Sequence, residues 1–397
     1  MINTMEHRLN EVILSITNRC NLRCAMCQIP GSGNNEELSA QEMQCLIADA
    51  VRLCPRSIVF SGGEPLLRED IFDLIASVSR SRINTCLASN GTLLTDEVAH
   101  KLSLAGIGVV NISIEGDEQT HDSLRGKGSF VKAVDALRNL SRYKIETTIA
   151  SIVSRQNYAA LPRVIELAHQ FGVTTVKFQP FSDIFIKDKA IRSGFFAPKE
   201  LREDIERSMA EVERLAKEYR IMTNPSEYLQ NIPSYLCGEA RINAEQKGCS
   251  AIFSSCPVSA GGDVYPCWVL SNRVIGNVKG KRLSAIWGSP KHDQLRREIV
   301  TKGCGGCMMS CYDQNFGKPE FDRLIALKAQ KLGTWSFYKR MYYRVYQNAK
   351  YVLGKIANKA RLWFVLWRGA DKSQCVELLK EIRVSREILQ KKLKNIG

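Results

Sequence analysis

Glu11-Val-Ile-Leu-Ser-Ile-Thr-Asn-Arg-Cys20-Asn-Leu-Arg-Cys24-Ala-Met-Cys27 sets a short apolar run directly before three closely spaced thiols. Glu11–Ile16 reads as a β-strand, and the cysteines fall in the loop leaving its carboxyl end. Outward from this stretch the pattern repeats. Ser57–Phe60, Ile83–Ala88, Gly108–Ile114, Ile145–Val153 and Thr174–Phe178 read as further strands. Helical stretches separate and follow them, starting at Ser39 (with Glu42 three residues on, a capping box) and then at Asp70–Val78, Thr95–Ala105, Phe130–Leu140, about Asn157–Phe171 and about Pro198–Tyr219. Six βα repeats predict an α/β fold with a parallel sheet and right-handed crossovers. Ligands and chemistry in such sheets sit at the carboxyl ends of the strands, where each motif of this first half falls.

The bulk numbers agree with an ordered enzyme-sized protein. The 397 residues are 44% hydrophobic and include 14 cysteines. Met1–Asn10 is polar and lacks the apolar core of a signal peptide, so the expected location is cytoplasmic. Thiols there stay reduced, and clustered cysteines read as metal ligands in preference to disulfides. No run approaches the roughly 18 apolar residues of a membrane span. The net charge of +15 is concentrated at one end, because residues 321–397 hold 18 Lys/Arg against 5 Asp/Glu. The expected division is 8–222 for the βα core, 223–318 for a Gly-, Pro- and Cys-rich metal-stapled region, and 319–397 for a basic, aromatic, helical extension.

Three thiolates within eight residues suit one soft metal centre, Cys20, Cys24 and Cys27 leaving one iron of a 4Fe–4S cubane open for an exchangeable ligand. On the residues alone a zinc site remains open, although structural zinc is normally closed by four ligands. The second group comprises Cys237, Cys249, Cys256, Cys267, Cys304, Cys307 and Cys311. In it, Gly262-Asp-Val-Tyr-Pro-Cys267 reads as a tight hairpin and Cys304-Gly-Gly-Cys307 as a close pair on a turn. Zinc is the alternative here too. Cys45, Cys54, Cys86 and Cys375 lie in apolar runs and read as small core residues.

The Cys-x-x-x-Cys-x-x-Cys spacing resembles the signature of the radical S-adenosylmethionine (radical SAM) superfamily. Gly62-Gly63-Glu64-Pro65 resembles that family's turn after the second strand. The resemblance implies a partial (β/α)6 TIM-type barrel in which this turn binds the SAM amino group, its glycines admitting the ligand close to the backbone. Asn90, in Ala88-Ser-Asn-Gly-Thr92, and Ser113 and Glu115, in Asn111-Ile-Ser-Ile-Glu-Gly116, resemble its ribose and carboxylate contacts. Glu115 stands where Asp is more usual. Arg125 is a candidate partner of the SAM carboxylate, with an ordinary surface arginine as the alternative. Ile152 and Val153 are candidate adenine contacts. Cys249-x12-Gly262-x4-Cys267 resembles the opening of SPASM and twitch auxiliary-cluster domains, implying one auxiliary 4Fe–4S cluster on Cys249, Cys267, Cys304 and Cys307, with Cys311 able to substitute.

The resemblance further implies a one-electron donor such as a flavodoxin or ferredoxin and a substrate that gives up a hydrogen atom, drawn from peptide, sugar-like or lipid-linked molecules. The rival reading is a non-catalytic iron–sulfur scaffold that has kept the fold. No general base is identified, and Gln179, ending the sixth strand, reads as structural in preference to substrate-facing. In the tail, Trp335, Tyr342, Tyr346, Trp363 and Trp367 stand among Lys339, Arg340, Arg344 and Arg361. That mixture suits a peripheral contact with the inner face of a membrane, a packed cap or, less well, nucleic acid.

Overall fold

The computed structural model describes residues 9–31, 36–81, 83–183, 186, 188–239, 251–302 and 307–309. Cys249, Cys304, Cys311, Cys375 and the basic tail lie outside the described residues. The chain divides into Met1–Ile325 and Ala326–Gly397, and everything described belongs to the first unit.

Six parallel strands form where the apolar runs predicted them: β1 (Glu11–Thr17), β2 (Ser57–Gly62), β3 (Asn84–Ser89), β4 (Val109–Ser113), β5 (Glu146–Val153) and β6 (Thr175–Pro180). They lie side by side in chain order. Between them run α1 (Ala40–Arg52), α2 (Ile71–Arg80), α3 (Asp96–Ala105), α4 (Glu118–Arg125), α5 (Ser129–Arg142) and α6 (Leu161–Gln170). Strand alternation decides which face each helix covers. Val12, Leu14, Ile16, Phe60, Leu87, Val110, Ile112, Ile149, Val176 and Phe178 are all buried in one core with the helices. The start of α1 carries the predicted capping box: Ser39 N–H donates to Glu42 Oε2 at 2.8 Å, and Glu42 N–H to Ser39 Oγ at 3.3 Å.

The other strand face is concave. Glu11 on β1 and Lys177 on β6 are five strands apart, about 24 Å on a flat sheet at ~4.8 Å per strand. Burial pushes the Glu11 carboxyl up, while the Ser255 hydroxyl and the Lys177 ammonium pull it down, in keeping with a sheet curled into a partial barrel.

Past β6 come α7 (Lys189–Phe195), α8 (Arg202–Glu218) and α9 (Ser226–Leu236). Next, β7 (Ser255–Val258) adds to the free edge of β1 in parallel, and β8 (Asp263–Val264) and β9 (Gly276–Asn277) continue antiparallel, giving a nine-stranded sheet. The Cys-rich region therefore shares the barrel's sheet. The four-residue Ser255-Cys-Pro-Val258 run hides this in the sequence, since an internal proline argues against a strand.

Two cysteines depart from expectation. The buried face of α1 comprises Met43, Leu46, Ile47 and Ala50, which leaves Cys45 on the solvent side. Cys54 lies just past the helix end at φ 50° and is exposed. Cys86 is half-buried, and burial pushes its thiol up to about 11.

Candidate active site

Cys20, Cys24 and Cys27 sit in the loop leaving β1, each half-buried. The loop is held at both ends. Thr17 Oγ1 and Asn18 N–H donate to Glu37 Oε1 at 2.6 and 2.9 Å, while Ala25 N–H donates to Leu124 O at 2.8 Å. N–H groups are turned toward the sulfurs: Leu22 N to Cys20 Sγ at 3.5 Å, Asn90 Nδ2 to Cys20 Sγ at 3.9 Å, and Arg125 Nη1 to Cys24 Sγ at 3.9 Å. Burial pushes the Cys24 and Cys27 thiols up, while Arg125 pulls both back. Iron ligation relieves that penalty, because a coordinated thiol is deprotonated outright. Among the described residues no three Cys, His, Asp or Glu side chains close on a point as the ligands of one ion would. A cubane makes no such demand, since each of its cysteines ligates a different iron. The donor set thus fits an iron–sulfur cluster.

The glycines after β2 bring backbone against backbone. A Cβ on Gly62, at φ +135°, would lie 2.2 Å from Thr17 O, and one on Gly63 would lie 2.2 Å from Arg19 O. The turn is laced to the cysteine loop by Gly63 N–H to Thr17 O and Glu64 N–H to Arg19 O, both 2.8 Å. The reason first given for these residues, close approach of backbone to a ligand, is therefore incomplete: they first let the turn clamp the loop. Glu64 is fully buried. It accepts from Leu66 N at 3.2 Å, Ser89 Oγ at 2.9 Å and Asn90 N at 2.8 Å, and Pro65 opens the short helical turn behind it. Burial raises its carboxyl while those hydrogen bonds oppose the rise. Glu64 thus splices the end of β2 to the end of β3.

Asn90 continues the splice. Its Nδ2 donates to Asn21 Oδ1 at 3.0 Å, and its Oδ1 accepts from Thr92 N and Oγ1 at 2.9 and 2.6 Å. Ser113 ends β4 half-buried, with no side-chain hydrogen bond among the described residues. Glu115 is fully buried and Arg125 nearly so, their side chains 0% and 12% exposed. Arg125 Nε and Nη2 both donate to Glu115 Oε1, at 2.8 and 2.5 Å, and Ile152 N–H donates to Oε2 at 2.8 Å. Arg125 is therefore an interior residue, which removes the surface alternative. Val153 is fully buried in the core beneath the helices, whereas Ile152 is half-buried.

The sequence reading missed several supporting residues. His121 is buried, accepts Glu115 N–H at Nδ1 (3.2 Å), and has a pKa lowered to about 3 by burial and by Arg125. Asn157 Nδ2 donates to Glu115 O at 3.0 Å and to Ile152 O at 2.6 Å. Arg68 Nη1 bridges Ile16 O and Leu38 O at 3.0 and 2.9 Å. Asn157 and Arg68 have partners 30 to 52 residues away, and His121 reaches back six residues to Glu115 in a pattern no motif marks.

Of the auxiliary ligand set, Cys267 and Cys307 are described. Cys267 is 6% exposed and packs with Ile13, Val59, Trp268 and Met309. Ile13 and Val59 alternate with the helix-facing residues of β1 and β2, so Cys267 lies on the concave side. The segment beside Cys307 is pinned by Tyr228 Oη to Met308 O at 2.5 Å and by Gln179 Nε2 to Met309 Sδ at 2.7 Å. Gln179 thus ties the end of β6 to the segment beside Cys307. Cys256 is buried in β7 with its thiol pushed far up by burial, and Cys237 caps α9, so each has a packing role.

Residues 14–168 match the Radical SAM superfamily, and residues 249–308 match SPASM, an iron–sulfur cluster-binding domain. Fe-coproporphyrin III synthase of Methanosarcina barkeri is 32% identical over 170 residues, which is 42% of this chain and 43% of that protein, less than half its length. Mycofactocin maturase MftC of Mycolicibacterium smegmatis is 29% identical over 313 residues, covering 75% of this chain and 74% of the maturase. The fold is that of native anSMEcpe with bound AdoMet, at TM-score 0.57 and 20% identity, covering 72% of this chain and 82% of that one.

Proposed function

The chain belongs to the radical SAM superfamily and carries a C-terminal SPASM domain, and from that premise we propose that it oxidises an organic substrate held between two iron–sulfur centres. It is an enzyme that works with a 4Fe–4S cluster, SAM and auxiliary iron–sulfur chemistry, and it needs a reductant and a substrate. When bound, the cluster supplies one electron to SAM, whose cleavage to methionine and a 5′-deoxyadenosyl radical provides the hydrogen-abstracting species.

In this reading Cys20, Cys24 and Cys27 hold the catalytic cluster, and Cys249, Cys267, Cys304 and Cys307 hold one auxiliary cluster, with Cys311 as a stand-in. Glu64 and Asn90 are largely spent on each other and on the cysteine loop, and Glu115 is spent on Arg125 and Ile152 N–H. SAM is then met chiefly by the backbone at Gly62 and Gly63 and by the unengaged hydroxyl of Ser113. The observation that carries the proposal is the packing of Cys267 against Ile13. It sets an auxiliary thiol on the concave side of the same sheet whose end bears the three cysteines. An auxiliary cluster there is suited to receive an electron from a substrate radical formed inside the barrel, which makes the net reaction an oxidation.

A relative named for an iron coproporphyrin adds a tetrapyrrole to the peptide, sugar-like and lipid-linked substrate classes. A flavodoxin or ferredoxin would serve as electron donor. The test is anaerobic reconstitution followed by SAM and dithionite. 5′-Deoxyadenosine should form, and its absence from protein carrying a full iron complement would return the chain to the scaffold reading.

A further inference from the structure

Arg125 closes α4, and the same end of α4 is tied to the cysteine loop through Leu124 O and Ala25 N–H at 2.8 Å. Its guanidinium cannot turn freely. The Nε and Nη2 donors share Glu115 Oε1, and Glu115 is itself fixed by Ile152 N–H on its other oxygen. The side-on edge, Nε with Nη2, is taken up by Glu115, which leaves three of the five N–H groups, and of these Nη1 faces Cys24 Sγ at 3.9 Å. The other side-chain donor on a cluster sulfur, Asn90 Nδ2, is neutral.

We propose that Arg125, oriented by Glu115, is a positioning residue that sets the reduction potential of the catalytic cluster through Cys24. This rests on the reading of Cys24 as a cluster ligand. Reduction adds one electron, and hence one negative charge, to the cluster. A cation fixed beside a ligating sulfur in a water-poor site stabilises that charge, and hydrogen bonds to sulfur together with net charge are what set such potentials. Glu115 opposes the effect, so the two residues shift the potential in opposite directions.

The experiment is an EPR-monitored redox titration of the reconstituted full chain without SAM, in which dithionite supplies the electron. Arg125→Met should lower the midpoint so that the reduced-to-oxidised ratio at a fixed potential falls about tenfold, which is about 59 mV for one electron. Glu115→Gln keeps the cation and loses its counter-charge, so the midpoint should rise. Arg125→Lys should recover part of the loss. SAM affinity, read by equilibrium dialysis on oxidised protein, should change by less than about threefold in Arg125→Met.

An unchanged midpoint in both Arg125→Met and Glu115→Gln would overturn the proposal, and so would shifts of the same sign. A tenfold loss of SAM affinity at constant midpoint would make Arg125 a SAM carboxylate clamp instead. If Arg125→Met fails to hold iron, the sign of the Glu115→Gln shift still decides. Failure of the wild-type chain to show a reducible 4Fe–4S signal would instead sink the functional reading, so the two failures are distinguishable.

Discussion

The carboxyl end of the β1–β6 barrel and the Cys-rich region from β7 onward both carry cysteines proposed as cluster ligands, yet they are built differently. At the barrel end polar groups tie strand to strand: Glu64 joins β2 to β3, Asn90 joins β3 to the cysteine loop, and Glu115 joins β4, β5 and α4. In the Cys-rich region Cys267 belongs to an apolar cluster with Ile13 and Ala251, and hydrogen bonds from Tyr228 and Gln179 hold the segment beside Cys307. A polar lattice fixes geometry tightly and tolerates little change, because each buried partner left alone costs about 1–3 kcal/mol. Apolar seating loses energy more gradually. That difference suits one site that must orient SAM and another that must only hold a cluster near the substrate.

The largest contrast should come from the ligands. Cys24→Ala leaves two thiolates and should abolish 5′-deoxyadenosine formation; turnover at the wild-type level would remove the catalytic assignment. Cys304→Ser with Cys307→Ser should behave otherwise. Iron should drop from about eight to about four per chain, one cubane's worth, while the SAM-responsive EPR signal of the catalytic cluster persists. A wild-type value near twelve would mean two auxiliary clusters in place of one.

Glycine substitutions sharpen the comparison at the next level. Gly63→Ala drives a Cβ to 2.2 Å from Arg19 O and 2.7 Å from Arg19 C, both backbone atoms of the cysteine loop. Overpacking of this kind typically costs about 1–3 kcal/mol, and the strain falls on the loop that presents the thiols. Catalytic iron and midpoint denaturant should both fall. Gly280→Ala, in the Cys-rich region with nothing within 4 Å of its added Cβ, should change neither. Equal losses in the two variants would show that the barrel end is no tighter than the rest.

The barrel was legible because alternation survives in short strands: Val12, Leu14 and Ile16 announce β1, and Val110 and Ile112 announce β4. The site was legible in its motifs but less so in its roles. Sequence identifies Glu64, Asn90 and Glu115 as polar residues at strand ends and Arg125 as a basic residue shortly after the fourth strand. It does not reveal that each is answered by another residue 10 to 69 positions away. The capped helix α1 looks continuous in apolar content through Cys45, and only its orientation shows that Cys45 faces out. The strand β7 was missed because Pro257 broke the signal, and its pairing with β1 spans some 240 residues.

His121 offers a smaller test of the polar lattice. Its folded pKa is lowered to about 3 from an ordinary 6.5. It therefore contributes stability above its unfolded pKa, and that contribution is lost as pH falls from about 6.5 toward 3. The expected slope is on the order of 1.4 kcal/mol per pH unit in that window. His121→Asn, whose amide oxygen can still accept Glu115 N–H, should flatten the difference in urea midpoint between pH 7 and pH 5 relative to wild type. Parallel pH profiles would show that His121 is not held neutral.

The smallest expected effect on catalysis lies at the other end of the chain. Removing residues 321–397 deletes 18 Lys/Arg and 5 Asp/Glu but none of the proposed cluster ligands. The longest purely apolar run in this segment, Leu362–Trp367, falls far short of the roughly 18 residues of a membrane span, so the membrane contact to test is a peripheral one. Each basic residue near an anionic surface contributes on the order of 1 kcal/mol and is screened beyond a Debye length, whereas inserted aromatics resist salt. Full-length protein should co-sediment with anionic liposomes at low salt, retain a salt-resistant fraction, and lose both on truncation, with 5′-deoxyadenosine formation from SAM and dithionite within about twofold of the full chain. Soluble full-length protein that ignores liposomes at low salt would end the membrane reading. Insolubility on truncation would then favour a packed cap, and steeply salt-dependent binding to RNA or DNA would favour a phosphate surface.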